Sequence, residues 1–215
     1  MISLLYMKKI IKQIAGIAMA LVVGVSLVGC GTASPDKAAD KTLKELQSSL
    51  KSIAKELKEG KDSSLDKIPG LGAVASAYKG NSDAIKVLGE FADKMSEFEF
   101  KIGDVKKDGD RATVKVTIKT YDFGNGVKKA AENAKSKAES LAKEGKSAQE
   151  IQKQILVDVF KDMISNATDG GKSFSREIEI KMTKTNKEWK IDTMSVVDIN
   201  NAVLADMQKA AANLK

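Results

Sequence analysis

Residues 98–119 read Phe98-Glu99-Phe100-Lys101-Ile102-Gly103-Asp104-Val105-Lys106-Lys107-Asp108-Gly109-Asp110-Arg111-Ala112-Thr113-Val114-Lys115-Val116-Thr117-Ile118-Lys119. Phe98, Phe100 and Ile102 alternate with Glu99 and Lys101, and Ala112, Val114, Val116 and Ile118 alternate with Thr113, Lys115, Thr117 and Lys119. A period of two sends successive side chains to opposite faces of a strand, so each of these runs has one dry and one wet face. Between them Asp108-Gly109 is the kind of pair a tight hairpin turn favours. The stretch is expected to form two antiparallel strands.

The same alternation returns further along the chain. Phe174, Ile178, Ile180 and Met182 alternate with Glu177, Glu179 and Lys181, and Trp189 and Ile191 alternate with Lys190 and Asp192. Thr185-Asn186-Lys187 supplies an Asn-containing turn, so a second hairpin is expected. If the second and third strands are neighbours, Lys115 and Lys119 meet Glu177 and Glu179 in a cross-strand charge ladder worth a few tenths of a kcal/mol per pair.

Around the hairpins the period becomes helical. Leu43, Leu46, Leu50, Ile53 and Leu57 follow 3-4-3-4 spacing, one stripe of a helix ending near Gly60. Asp62 to Asp66 is polar, and Pro69-Gly70 with Gly72 breaks the chain before the small-residue segment Ala73 to Tyr78. Asn81 or Ser82 can cap a second helix burying Ile85, Leu88, Phe91, Ala92 and Met95. Asp122-Phe123-Gly124-Asn125-Gly126 reads as a loop leading into a helix from Val127 to Lys143, with Ala130, Ala131, Ala134, Ala138 and Leu141 on its apolar face. Ser147-Ala148-Gln149-Glu150 is a capping box opening a further helix through Ile151, Ile155, Val159, Phe160, Met163 and Ile164, which Gly170-Gly171 stops. Asp198 is positioned to cap a last helix with Ile199, Val203, Met207 and Ala210 inside. Helices, a hairpin, a helical pair, a hairpin and a closing helix make an α+β domain over 41–215: an antiparallel four-stranded sheet with helices on one face and a helical insertion at about 127–167.

The N-terminal residues are of another kind. Lys8, Lys9 and Lys12 precede an uncharged apolar run from Ile14 to Val28, a secretory leader too short to span ~30 Å of hydrocarbon comfortably. Met7-Lys8-Lys9 has the look of the usual start of such a leader, with Met1 to Tyr6 in front of it. Leu27-Val28-Gly29-Cys30 follows, and Cys30 is the single cysteine of the chain. This tetrad resembles the lipobox of bacterial lipoproteins. The resemblance implies cleavage of 1–29, a diacylglyceryl group on the Cys30 sulfur, further acylation of the new N-terminus with a chain such as palmitate, and residence at the extracytoplasmic face of the cell membrane. Two or more acyl chains, at roughly 0.8 kcal/mol per buried CH₂, anchor stably where one is marginal. Gly31 to Asp40 has no apolar period and reads as the flexible part of a lipidated tether over 30–40, with a reach of up to ~35 Å.

The order of elements, through 98–123 and then 172–197, resembles the NTF2-like and cystatin-like rolls found in uncharacterised lipoproteins of Gram-positive bacteria. That resemblance implies a concave sheet whose helices often enclose an apolar cavity. Phe91, Phe100, Tyr121, Phe160 and Trp189 are the bulky residues expected to meet there, as ordinary core or as the lining of a pocket.

Composition narrows the chemistry. The 215 residues contain no His, which removes imidazole bases, Ser-His-Asp and Cys-His arrangements and His-bearing zinc sites. Taking Lys8, Lys9 and Lys12 from a net charge of +7 leaves +4, and only Arg111 and Arg176 are arginines. Nucleic-acid readers rely on arginine forks, so no nucleic-acid partner is expected. Gly170-Gly171-Lys172-Ser173 lacks the strand-before, helix-after setting of a phosphate loop, and Asp108-Gly109-Asp110 lacks the other oxygens of a calcium loop. Glu97/Glu99 and Glu177/Glu179 fall on wet faces beside lysines, where nothing raises a carboxyl toward catalytic use. Lys128, Lys129, Lys135, Lys137, Lys143 and Lys146 alternate with Glu132, Glu139 and Glu144, as on an ion-paired helix surface. No cofactor, metal site or catalytic group is expected. The domain is expected to bind a surface protein or a cell-wall polymer or, as the other option, to carry a small apolar ligand.

Overall fold

The computed structural model describes residues 34–61 and 80–214. Its elements run α1 (Pro35–Lys58), α2 (Ser82–Ser96), β1 (Glu99–Asp108), β2 (Arg111–Thr120), α3 (Phe123–Lys143), α4 (Ala148–Thr168), β3 (Phe174–Thr185), β4 (Glu188–Ile191), α5 (Thr193–Val203) and α6 (Met207–Ala212). The four strands form one antiparallel sheet in the order β1-β2-β3-β4. The chain is therefore α+β, with both hairpins where the alternation puts them.

β2, β3 and β4 each bury one face, and the edge strand β1 half-buries Phe100 and Ile102. Ala112, Val114, Val116 and Ile118 of β2, Ile178, Ile180 and Met182 of β3 and Trp189 of β4 are buried, while Lys119, Glu177, Glu179 and Lys181 on the other face are exposed. The helices thus cover one side of the sheet, because only that side is apolar. The β1–β2 turn is Gly109-Asp110, with φ 55° at Gly109, so glycine takes the first loop position and Asp108 remains in the strand. In the β3–β4 turn both central residues, Asn186 and Lys187, are left-handed at φ 52° and 68°, as a type I′ turn requires. A bulge sets Gly103 and Asp104 of β1 opposite Lys115 and bends the outer end of this edge strand, leaving Val105 40% exposed.

The helix stripes are buried as their spacing implies. Leu43, Leu46, Leu50 and Leu57 of α1 and Ile85, Leu88, Phe91, Ala92 and Met95 of α2 have almost no exposed surface. The Asn81 side chain caps α2 by accepting from the Ala84 amide at 3.1 Å. The capping box of α4 is complete: Ser147 Oγ accepts from the Glu150 amide at 3.3 Å, and Glu150 Oε2 accepts from the Ser147 amide at 2.8 Å.

Three expectations need correction. The part of the presumed tether within the described residues is helical: α1 begins at Pro35, whose missing N–H suits a first turn, and Pro35, Ala38 and Ala39 are buried. The presumed loop 122–126 is the cap and first turn of α3, with Asp122 Oδ1 accepting from the Asn125 amide at 2.8 Å. Its glycines serve close approach, since a Cβ on Gly124 would stand 2.4 Å from the Ala205 carbonyl oxygen and one on Gly126 2.5 Å from that of Met163. The closing helix starts at Thr193 and breaks after Val203, so Asp198 lies inside it and caps nothing. The break is a Schellman stop: the Ala205 amide donates to Ala202 O at 3.2 Å and the Asp206 amide to Asn201 O at 2.8 Å.

Candidate functional site

Cys30 and the rest of 1–33 lie outside the described residues, as does the segment 62–79 with its Pro-Gly break and Ala73 to Tyr78. The first described residue, Ser34, is exposed and leads directly into α1. The course of α1 fixes where the domain meets whatever precedes it. At Gln47, Nε2 donates to the carbonyl of Phe98, the residue before β1. Farther on, Ala54 and Lys58 press against Gly89 of α2. The helix also touches β4, on the opposite edge of the sheet. With its middle at the β1 edge and its last turns on α2, the part that reaches β4 is the N-terminal part.

The five aromatic residues expected to meet do not form one group. Phe91 and Phe160 are fully buried with ring centroids 5.9 Å apart, and Phe91 makes an edge contact with Phe123 at 5.2 Å. Tyr121, half-buried, joins through Phe123 at 6.1 Å, and half-buried Phe100 packs beside Phe98 at 6.1 Å. Trp189 is elsewhere. Tyr121 follows the last residue of β2, whereas Trp189 pairs with Lys184 beside the first residues of β2. Ten residues of strand, roughly 30 Å, separate those ends. The Trp189 ring is instead flanked by Lys107 and Lys184, whose ammonium nitrogens each lie 5.8 Å from its centroid. Bulk alone suggested a common lining; the strand register, not readable residue by residue, divides the set.

At the Tyr121 end a small polar group has formed. Tyr121 Oη donates to Glu97 Oε2, and Lys94 Nζ lies 2.8 Å from Glu97 Oε1 and 5.6 Å from the Tyr121 ring centroid. Burial acts to raise the Glu97 carboxyl, but hydrogen bonds from Lys94 and Tyr121 outweigh it and hold the pKa below its ordinary value. The bond to Glu97, helped by burial, raises the Tyr121 phenol, and the bond to Glu97 raises Lys94 against desolvation. Glu97 is thus kept ionised and acts as an anchor between α2 and the end of β2, the opposite of a carboxyl prepared to donate a proton. The alternation reading set Glu97 beside Glu99 on one wet face; instead Glu97 precedes β1 and is half-buried.

The open face of the sheet carries charge but little pairing. Lys115 Nζ meets Glu177 at 3.1 Å, diagonally, while Lys119 stands opposite Glu99 and Ser175 and so does not join the expected ladder to Glu177 and Glu179. Glu99 is paired with Lys172 at 2.7 Å, which holds its carboxyl below the ordinary value. On the ion-paired surface expected of α3, Lys137 pairs across to Asp162 of α4 at 3.0 Å. Thr42, Thr120 and Asn200 are buried with side-chain polar atoms that no described protein group satisfies, a cost to stability unless solvent reaches them. Among the described residues no group of three Asp, Glu, His or Cys side chains is arranged to hold a metal. No described helix is long and apolar enough to cross a membrane.

No family profile matches the sequence. No curated protein matches it. Among solved structures the chain is similar to a candidate lipoprotein (ycdA) of Bacillus subtilis subsp. subtilis strain 168, with a TM-score of 0.44 and 18% identity over 86% of this chain and 55% of that one. The chain therefore spans about half the length of that protein.

Proposed function

We propose that the chain is an exported lipoprotein, anchored through acyl chains on Cys30 to the extracytoplasmic face of a membrane, and that its α+β domain binds a partner and does not catalyse. One observation carries the anchor: the only cysteine stands at the end of Leu27-Val28-Gly29-Cys30, directly after a lysine-headed apolar run. The binding role is supported by the absence of His from the chain and by the ionised, structurally committed state of Glu97. The partner is a surface protein or a cell-wall polymer, met by the mixed-charge open face of the sheet with Lys115, Lys119, Lys181, Glu177 and Glu179. The kinship to NTF2-like and cystatin-like rolls belongs to this proposal, supported by the hairpin, helical pair and hairpin order. The carrier alternative gains no support from the aromatic residues, because Phe91 packs on Phe123 and Phe160 while Trp189 lies apart from them.

Cys30→Ser tests the anchor. The variant is expected in the medium or with its leader uncut, while membrane retention with normal cleavage contradicts the reading. For the binding role, the domain from Ser34 onward is expected to sediment with cell-wall material or to capture a surface protein, in either case less strongly as salt rises.

A further inference from the structure

We infer that the β4 edge of the domain, where α1 begins, is held against the lipid surface. This rests on the lipid-anchor reading and adds the orientation. If the Cys30 sulfur sits among the headgroups, only residues 31–34 separate it from the first residue of α1. Five Cα–Cα steps from Cys30 to Pro35 span at most ~17 Å, about half of what a ten-residue tether would give. Unwinding α1 does not lengthen the reach freely, because Pro35, Ala38 and Ala39 of its first turns are buried in the domain and the Ala38 amide is bonded to Ser34 O at 3.0 Å.

α1 touches β4, and because its middle is held at Phe98 and its last turns on α2, we place its N-terminal part there, so that the short tether brings Glu188–Ile191 and the start of α5 to the bilayer. Met194, on the first turn of α5 and three residues past the end of β4, is an apolar side chain that is 71% exposed. Lys107, Lys184, Lys187 and Lys190 stand there against Glu188 and Asp192, an excess of two positive charges, so apposition that survives high salt is what marks the tether as its cause. The open face of the sheet then stands beside the membrane rather than far above it. A partner must be reached at bilayer level, which suits a membrane-associated protein better than distant wall polymer.

Trp189, the only tryptophan, lies on β4 and reports this directly. The lipidated protein from Cys30 onward is reconstituted in phosphatidylcholine–phosphatidylglycerol vesicles containing a headgroup nitroxide lipid, and vesicle flotation and Trp189 emission are measured together. The expected result is flotation with loss of Trp189 emission that persists at high salt. A long Gly-Ser insert between Ala33 and Ser34 should restore the emission while flotation continues. Flotation with unquenched Trp189 on the native tether, or quenching unchanged by the insert, overturns the orientation and leaves the anchor intact. Failure to float overturns the anchor itself, and the orientation with it.

Discussion

Lys187 occupies the second central position of the β3–β4 turn at φ 68°, a conformation an ordinary L-residue adopts at a cost of roughly 1 kcal/mol. Asn186 before it is well suited to the left-handed region, and Lys187→Gly would complete the Asn-Gly pair that type I′ turns favour. The variant is expected to raise unfolding stability by about 1 kcal/mol in urea titration; an unchanged or lower midpoint would show that the turn is not strained. Glu97 makes a different residue-scale prediction. Because its folded pKa lies below the ordinary 4.5, its contribution is complete above that value and is lost as pH falls through the lower folded one. Tyr121 and Lys94 have the opposite sign: their raised values keep their contributions until pH climbs past about 10. Glu97→Gln should therefore lower stability at neutral pH and flatten its decline below pH ~4.5, as followed by thermal melts across pH. A decline as steep as in the parent protein would rule Glu97 out as a cause.

At the scale of elements, the sheet was legible because each strand has one wet face: the alternation in 112–119 and 177–182 names the buried residues directly. The helix ends were less legible. Gly124 and Gly126 are local marks of a loop, yet they lie in a helix because the Ala205 and Met163 carbonyls approach too closely for any side chain. Pro35, Ala38 and Ala39 continue the Leu43 stripe at three- and four-residue steps, but they are small and follow a proline, so the sequence does not mark them as core; the structure buries all three. The close approach makes a measurable claim. Gly126→Ala, which would gain helix propensity in an isolated α3, is expected instead to destabilise the domain by about 1–3 kcal/mol as the new methyl is forced against Met163 O and the Ala167 Cβ. A stabilised variant would mean that α3 and α4 are not packed at this separation. Volume and apolarity group Phe91, Phe160 and Trp189 together as buried residues, but only strand register shows that Trp189 is at the other end of the sheet.

At the scale of the whole molecule, the first helix of the domain begins five residues after Cys30, the proposed site of lipid attachment. The fold alone could host many activities. The chain has no His, and the Glu97 carboxylate is bonded to both Lys94 and Tyr121. The anchor is the claim from which localisation, orientation and the class of partner all follow. Mass spectrometry of the N-terminal peptide from protein isolated in the membrane fraction of its own cell tests it most directly. The account predicts a chain beginning at Cys30 and carrying a diacylglyceryl thioether; an intact leader with a free Cys30 thiol would contradict it.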